Sequence, residues 1–193
     1  MVYPSENGLP FRSFCHNVLE KLKTRNADEA SRLLFQFWSF VQSRYPRDFS
    51  LFNNLLFSSL HSSPTASEHQ LFDSYISAVP QLRGLKLIEL AATSLGIHFP
   101  ALLEHLFQSG PFETEGSLLS VQEVASIIDD FPNQDSESRL ETIKTLLTKF
   151  SPKEHKWFCL LLMKKCEFRC EEKDLYQIWM KFQQRNIVDS VFL

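Results

Sequence analysis

Glu154-His155-Lys156-Trp157-Phe158-Cys159-Leu160-Leu161-Leu162-Met163-Lys164-Lys165 is the stretch on which the fold turns. Ser151-Pro152-Lys153-Glu154 leads into it as a helix start, with serine at the cap and proline at the first helical position. Apolar residues then crowd one wide face, and two lysines tip the end. Trp157 and the leucines read as core. The lysine tip is the part placed to meet a partner, since cations suit a helix C-terminus.

The same helical spacing extends over almost the whole chain, which holds only 5 glycines in 193 residues. Phe11, Phe14, Cys15, Val18, Leu19 and Leu22 recur at steps of three and four, which predicts a first helix opening at Leu9-Pro10-Phe11. It ends in the basic turn Lys21-Leu22-Lys23-Thr24-Arg25-Asn26. A second helix is expected from Ala27 to Tyr45, stopped by Pro46. A third runs from Ser50 to Leu60, and Ser67 caps a fourth, Glu68 to Val79. Leu85 to Leu95 reads as a helix closed by Gly96. Another begins at His98-Phe99-Pro100 and ends near Ser109-Gly110. Ser120 and Glu123 form a capping box for Val121 to Asp130. Helices from Ser136 to Phe150, from Pro152 to about Lys165 and from Glu171 to Gln184 complete the series.

About ten helices with short connections predict an all-α fold: a single helical domain, with a division into two lobes near Phe131 to Asp135 left open. The expected boundaries are a tail over 1–9, the domain over 10–185 and a tail or linker over 186–193. Internal repeats and low-complexity segments are absent from the sequence.

Apolar residues make up 44%, which argues against gross disorder. The net charge of -3 hides an uneven distribution. Arg12 to Arg47 holds 7 Lys/Arg against 3 Asp/Glu, Asp48 to Ser138 holds 2 against 12, and Arg139 to Arg185 holds 11 against 6. Two basic ends flank an acidic middle. If the ends meet they form a positive face; otherwise they are ordinary solvated helix faces. Met1 to Pro10 lacks the basic start and apolar core of a secretory leader, and no apolar run approaches a membrane span. Four cysteines outside a secretory context are expected as reduced thiols in the cytosol or nucleus.

Catalytic signatures are missing. The phosphate-binding glycine loops, HExxH and G-x-S-x-G do not occur, and the six histidines are scattered, so no catalytic residue is assigned. His155 with Cys159, and Cys166 with Cys170, have the i, i+4 spacing of helical metal ligands. Cysteines in apolar runs more often pack as small hydrophobes, so no metal site is assigned. Most of the 18 phenylalanines read as core. Phe35, Phe40 and Phe49 fit a single face least well. They are either covered by a neighbouring helix or form a groove for a partner peptide.

Several landmarks, in order, resemble one family. Pro10-Phe11, Phe14-Cys15 and Leu19-Glu20-Lys21 are similar to the opening helix of the N-terminal DNA-binding domain of ATP-dependent DNA ligases, above all the end-joining type, DNA ligase IV. Lys21, Lys23 and Arg25 fall where that family has a lysine-rich turn. Gly116-Ser117-Leu118, followed by Val121, Gln122, Val124, Ile127, Ile128 and Asp129, resembles its "G-S-L-T-I-x-x-V-N-x-x-L-D" pattern. Glu154-x-Lys156-Trp157 with Lys164-Lys165 resembles its "E-x-K-W-x-x-x-x-x-x-K-D-L-K-L-G" segment. The family's basic Arg-Glu-Arg and Tyr-Gly-x-Lys-Glu elements are missing from the His61 to Glu68 loop, and Arg169 stands where the family has glycine.

The resemblance implies a domain that grips duplex DNA near a break across the minor groove, mostly through its backbone, in end-joining repair in the nucleus. It implies phosphate contacts from Lys21, Lys23, Arg25, Lys164, Lys165 and Arg169, and backbone or hydroxyl contacts from Gly116 and Ser117. The family's adenylated lysine lies in a Lys-x-Asp-Gly motif of the following domain, and this chain contains no such motif. The expectation is a ligase piece without cofactor of its own, with ATP and Mg acting only in downstream catalytic domains. Its partners would be duplex DNA and a repair protein's peptide, with neither membrane nor small-molecule substrate. The alternative is a ligase-like helical module that binds protein.

Overall fold

Polar side chains set just ahead of apolar runs start the helices. The backbone N–H of Glu123 donates to Ser120 Oγ at 3.2 Å, and the Ser120 N–H donates to Glu123 Oε2 at 2.7 Å. Ser151 with Glu154, and Asn26 with Glu29, close the same reciprocal box. Asp135 caps through a 2.8 Å bond from the Ser138 N–H. Each cap satisfies helix N–H groups that have no partner inside the helix and is worth about 1 kcal/mol.

The computed structural model describes residues 8–61, 68–79, 99–108, 119–166 and 168–191. Nine helices occupy them. Helix α1 comprises Phe11–Phe14, a π-helical turn Cys15–Leu19 and Glu20–Leu22. It is followed by α2 (Ala27–Arg44), α3 (Phe49–His61), α4 (Glu68–Ala78) and α5 (Phe99–Gln108). Then come α6 (Val121–Asp130), α7 (Ser136–Leu147), α8 (Pro152–Met163) and α9 (Glu172–Val191). A 3-10 turn, Phe131–Asn133, joins α6 to α7. The fold is all-α, with no strand among the described residues. The helix expected at Leu85 to Leu95 lies outside them.

Two features differ from the sequence reading. The first helix carries a π turn in its middle, and the last runs to Val191, beyond its apolar pattern. Neither has a local signature: a π turn costs one register step and leaves the apolar face intact, while the end of α9 carries no stop residue.

A short antiparallel contact ties the start of α1 to the start of α6. The Phe11 N–H donates to the Leu119 carbonyl at 2.8 Å, and the Val121 N–H to the Leu9 carbonyl at 2.7 Å. Asp48 fixes the entry, its Oδ2 accepting the Leu9 N–H at 2.6 Å. Gly8 is needed beside it: its φ is +81°, and a Cβ there would sit 2.8 Å from Asp48 Oδ2.

Buried apolar side chains from Leu9 to Phe182 form one cluster. Helix α8 lies in it, packed on α5, α3, α6 and the π turn of α1. Every residue from Glu154 to Cys159 is buried, so α8 is enclosed on nearly all sides rather than on one wide face. His155 lies among the rings of Tyr75, Phe107 and Phe150, with its Nδ1 in a 2.8 Å hydrogen bond with the Tyr75 hydroxyl. Burial pushes its pKa down to about 3, so the ring is neutral.

Candidate nucleic-acid interface

Helix α1 ends in carbonyls that its own N–H groups do not reach. Arg169, far along the chain, supplies the partners. Its backbone N–H donates to the Leu22 carbonyl at 3.4 Å and its Nη1 to the Thr24 carbonyl at 3.1 Å. Cations near a helix C-terminus are also favoured by its dipole. This latch brings the turn bearing Lys21, Lys23 and Arg25 against the segment bearing Lys164, Lys165 and Arg169. Lys21, Lys23, Lys165 and Arg169 are exposed, while Arg25 and Lys164 are half-buried.

The geometry of Lys164 follows from how α8 stops. The Lys165 N–H donates to the Leu160 carbonyl and the Lys164 N–H to the Leu161 carbonyl, at 3.0 and 3.2 Å. That is a Schellman ending, which needs a left-handed residue, normally glycine. Lys164 takes the position with φ 51° and ψ 44°.

Beside the edge lies a cluster of three charges, Lys156, Glu20 and Glu104, that the sequence alone did not reveal. Lys156 Nζ donates to Glu20 Oε1 at 2.5 Å and to Glu104 Oε2 at 2.8 Å, and Trp157 Nε1 donates to Glu20 Oε1 at 2.6 Å. Helices α1, α5 and α8 are thereby joined at one ammonium group. Burial pulls the Lys156 pKa down, but the bonds to Glu104 and Glu20 outweigh it and hold the group above the ordinary lysine value. Burial pushes Glu20 up, and the bonds from Lys156 and Trp157 outweigh it and hold its carboxyl below the usual range. Both shifts favour the charged pair. The one available signal was a lysine set inside a buried run, which requires a carboxylate partner.

More cations gather at the other end of α1. Burial, then Lys153 and Arg12, push the His16 pKa down, with Glu154 and Glu20 opposing. Gly116 and Ser117 lie outside the described residues. Leu119 and Ser120, which follow them, meet the opening of α1, roughly 16 Å along that helix from its basic end at 1.5 Å per residue.

Phe35, Phe40 and Phe49 are placed differently. Phe35 packs edge-on against Phe182 of α9 with centroids 5.4 Å apart, and Phe49 lies 5.8 Å from Trp179. Helix α9 thus lies over both. Phe40 remains 46% exposed, resting on Tyr45. Phe35 and Phe49 are half-buried, whereas Phe40 is exposed. All four cysteines are buried thiols, and no group of three or more metal-ligating side chains converges among the described residues. No helix there is long and apolar enough to cross a membrane.

Compared with known proteins, residues 10–180 match the family model described as DNA ligase N terminus. No curated protein and no solved structure matches the chain. The match begins at Pro10, where α1 is tied to α6, and ends within α9, so it spans the latch, the buried ammonium and the helical core together. The chain belongs to the DNA ligase N-terminus family and is a DNA ligase N-terminal, DNA-binding domain.

Proposed function

We propose that this domain holds duplex DNA at a break through its sugar-phosphate backbone, as the DNA-gripping part of an end-joining ligase of the DNA ligase IV type. The observation that carries the reading is the Arg169 latch, which sets two basic segments on one edge although they lie 145 residues apart. Exposed lysines on a rigid edge neutralise phosphates without reading bases, as a protein acting at breaks of any sequence requires. Lys21, Lys23, Arg25, Lys164, Lys165 and Arg169 are the phosphate contacts in this reading, and Gly116 and Ser117 supply a further contact. The setting is double-strand-break repair in the nucleus, with ATP and Mg used by catalytic domains that follow this one.

The test is an anisotropy titration of nicked duplex over a range of salt. Replacing Lys21, Lys23 and Arg25 together by alanine should flatten the slope of log K against log salt by up to about 2.7, at roughly 0.9 per phosphate contact. An unchanged slope and affinity would remove these residues from the interface.

A second reading is a module that docks a repair protein's peptide, and it rests on the exposed apolar side chains Phe40, Tyr176 and Met180. Failure to bind duplex at about 10⁻⁴ M, the weak end of non-specific affinity, would shift the assignment to it.

A further inference from the structure

The basic turn between α1 and α2 has little of its own to hold it. Leu22 is buried and Asn26 caps α2, but Lys23 and Thr24 between them are exposed and Arg25 is half-buried. Locally, the Lys23 N–H donates to the Leu19 carbonyl at 3.2 Å and the Thr24 N–H to the Lys21 carbonyl at 3.4 Å. Among the described residues, the hydrogen bonds that reach this turn from elsewhere in the chain both come from Arg169.

The other side of the latch is fixed. Cys166 and Cys170, on either side of Arg169, are buried, and Phe168 stacks on Trp157 with centroids 6.3 Å apart. Arg169 therefore stands on a segment built into the core and reaches out to a turn that is not. Its Nη1 donates to the Thr24 carbonyl at 3.1 Å, which turns that edge of the guanidinium toward backbone.

We propose that Arg169 is a positioning residue: it serves duplex binding by holding the turn that bears Lys21, Lys23 and Arg25 in place before DNA arrives, not by touching a phosphate. The proposal rests on the duplex-binding reading above and removes Arg169 from its phosphate contacts. The physical ground is ordering. Fixing a residue's backbone costs entropy, and an edge already ordered in the free domain does not incur that cost on binding. A strut and a contact then leave different traces. A lost phosphate contact lowers affinity and takes roughly 0.9 off the salt slope. A lost strut lowers affinity at an unchanged slope, because the same counterions leave once DNA has ordered the turn.

The experiment titrates Arg169→Ala and wild type with nicked duplex over a range of salt, by anisotropy, and follows amide exchange in both free proteins. Arg169 is exposed, so the variant keeps the fold. Its affinity should fall roughly tenfold, the order of one residue's backbone ordering, with the slope unchanged. The Lys23 and Thr24 amides should exchange about tenfold faster in the free variant. A slope lower by about 0.9 with exchange unchanged overturns the proposal and makes Arg169 a phosphate contact. Unchanged affinity also overturns it, and leaves duplex binding intact. Failure of the wild type to bind duplex removes the duplex-binding reading itself, and this role with it.

Discussion

Two surfaces of this domain carry the sequence marks of a binding site, and the fold treats them in opposite ways. On the basic edge, Lys21, Lys23, Lys165 and Arg169 stay exposed, and the latch from Arg169 holds their backbones together. On the aromatic edge, α9 lies over Phe35 and Phe49 and leaves Phe40 in solvent. The difference follows from hydration. A charged side chain loses most of its solvation if covered, so an unpaired lysine in the sequence is nearly always an exposed lysine. A phenylalanine gains by being covered, so a surplus of phenylalanine points first to a neighbouring helix.

The sharpest way to separate the two surfaces is to damage the aromatic one. Phe182 is 2% exposed and packs on Phe35, Trp38, Phe49 and Trp179. Phe182→Ala should cost about 4 kcal/mol by chemical denaturation. At temperatures where the variant remains folded, its duplex affinity should equal that of the wild type. A parallel loss of affinity would mean that the two edges are not independent.

The next largest effect tests the support beneath the basic edge. Lys156→Met leaves Glu20 and Glu104 facing each other without a cation. The cost at pH 7 should be roughly 3 kcal/mol, at the low end for a broken buried pair because the two carboxylates keep 25% and 18% exposure. The pH dependence identifies the cause. Glu20 titrates below the ordinary glutamate value of 4.5 in the fold, so its contribution is complete above that pH and disappears as the pH falls through the folded value. The gap between wild type and variant should therefore close in acid. A gap that stays constant down to pH 3 would assign the loss to packing.

His155 supplies a graded effect in the core that both edges share, small near neutral pH and growing in acid. Its folded pKa of about 3 lies below the ordinary histidine value of 6.5 because the ring is buried. The unfolded chain therefore binds a proton that the fold refuses, and stability falls as pH drops from 6.5 toward 3. The slope from this one group is about 1.4 kcal/mol per pH unit. His16 contributes in the same direction, being pushed down by burial, Lys153 and Arg12. His155→Gln keeps a hydrogen-bonding partner for the Tyr75 hydroxyl but does not titrate, so its stability profile should be flatter over that range. An unchanged profile would place the acid sensitivity elsewhere.

What could be read from the sequence divides along the same line. Helix starts were legible because a cap is local: Ser120 needs only Glu123, and Ser151 only Glu154. The basic turn after α1 was legible because its cations had no local partners. The Glu20–Lys156 pair was not, because its members are 136 residues apart and either carboxylate looks like surface until α5 and α8 are in place. Phe35 and Phe40 share one helix and one residue type. Only the path of α9 makes the first half-buried and leaves the second exposed. The Arg169 latch was invisible for the same reason. That position showed as the loss of a family glycine and as an expected phosphate contact, not as the group that holds the backbone of the basic turn.

The smallest effect concerns the one non-glycine residue with positive φ among those described, which sits on the basic edge itself. Lys164 pays for its φ of 51° because the Schellman ending of α8 requires a left-handed residue. Lys164→Gly removes that strain but adds backbone freedom to the unfolded chain, so the net gain should be about 1 kcal/mol. If Lys164 is kept for its charge, the same variant should lose duplex affinity while gaining stability, with the salt slope falling by about 0.9. A gain in stability with no change in slope would show that the lysine is tolerated there rather than used, and would leave Lys23 and Lys165 to hold that end of the strand. The two measurements move in opposite directions only if the strained position serves the interface, since neither helix capping nor chain entropy affects the number of counterions released.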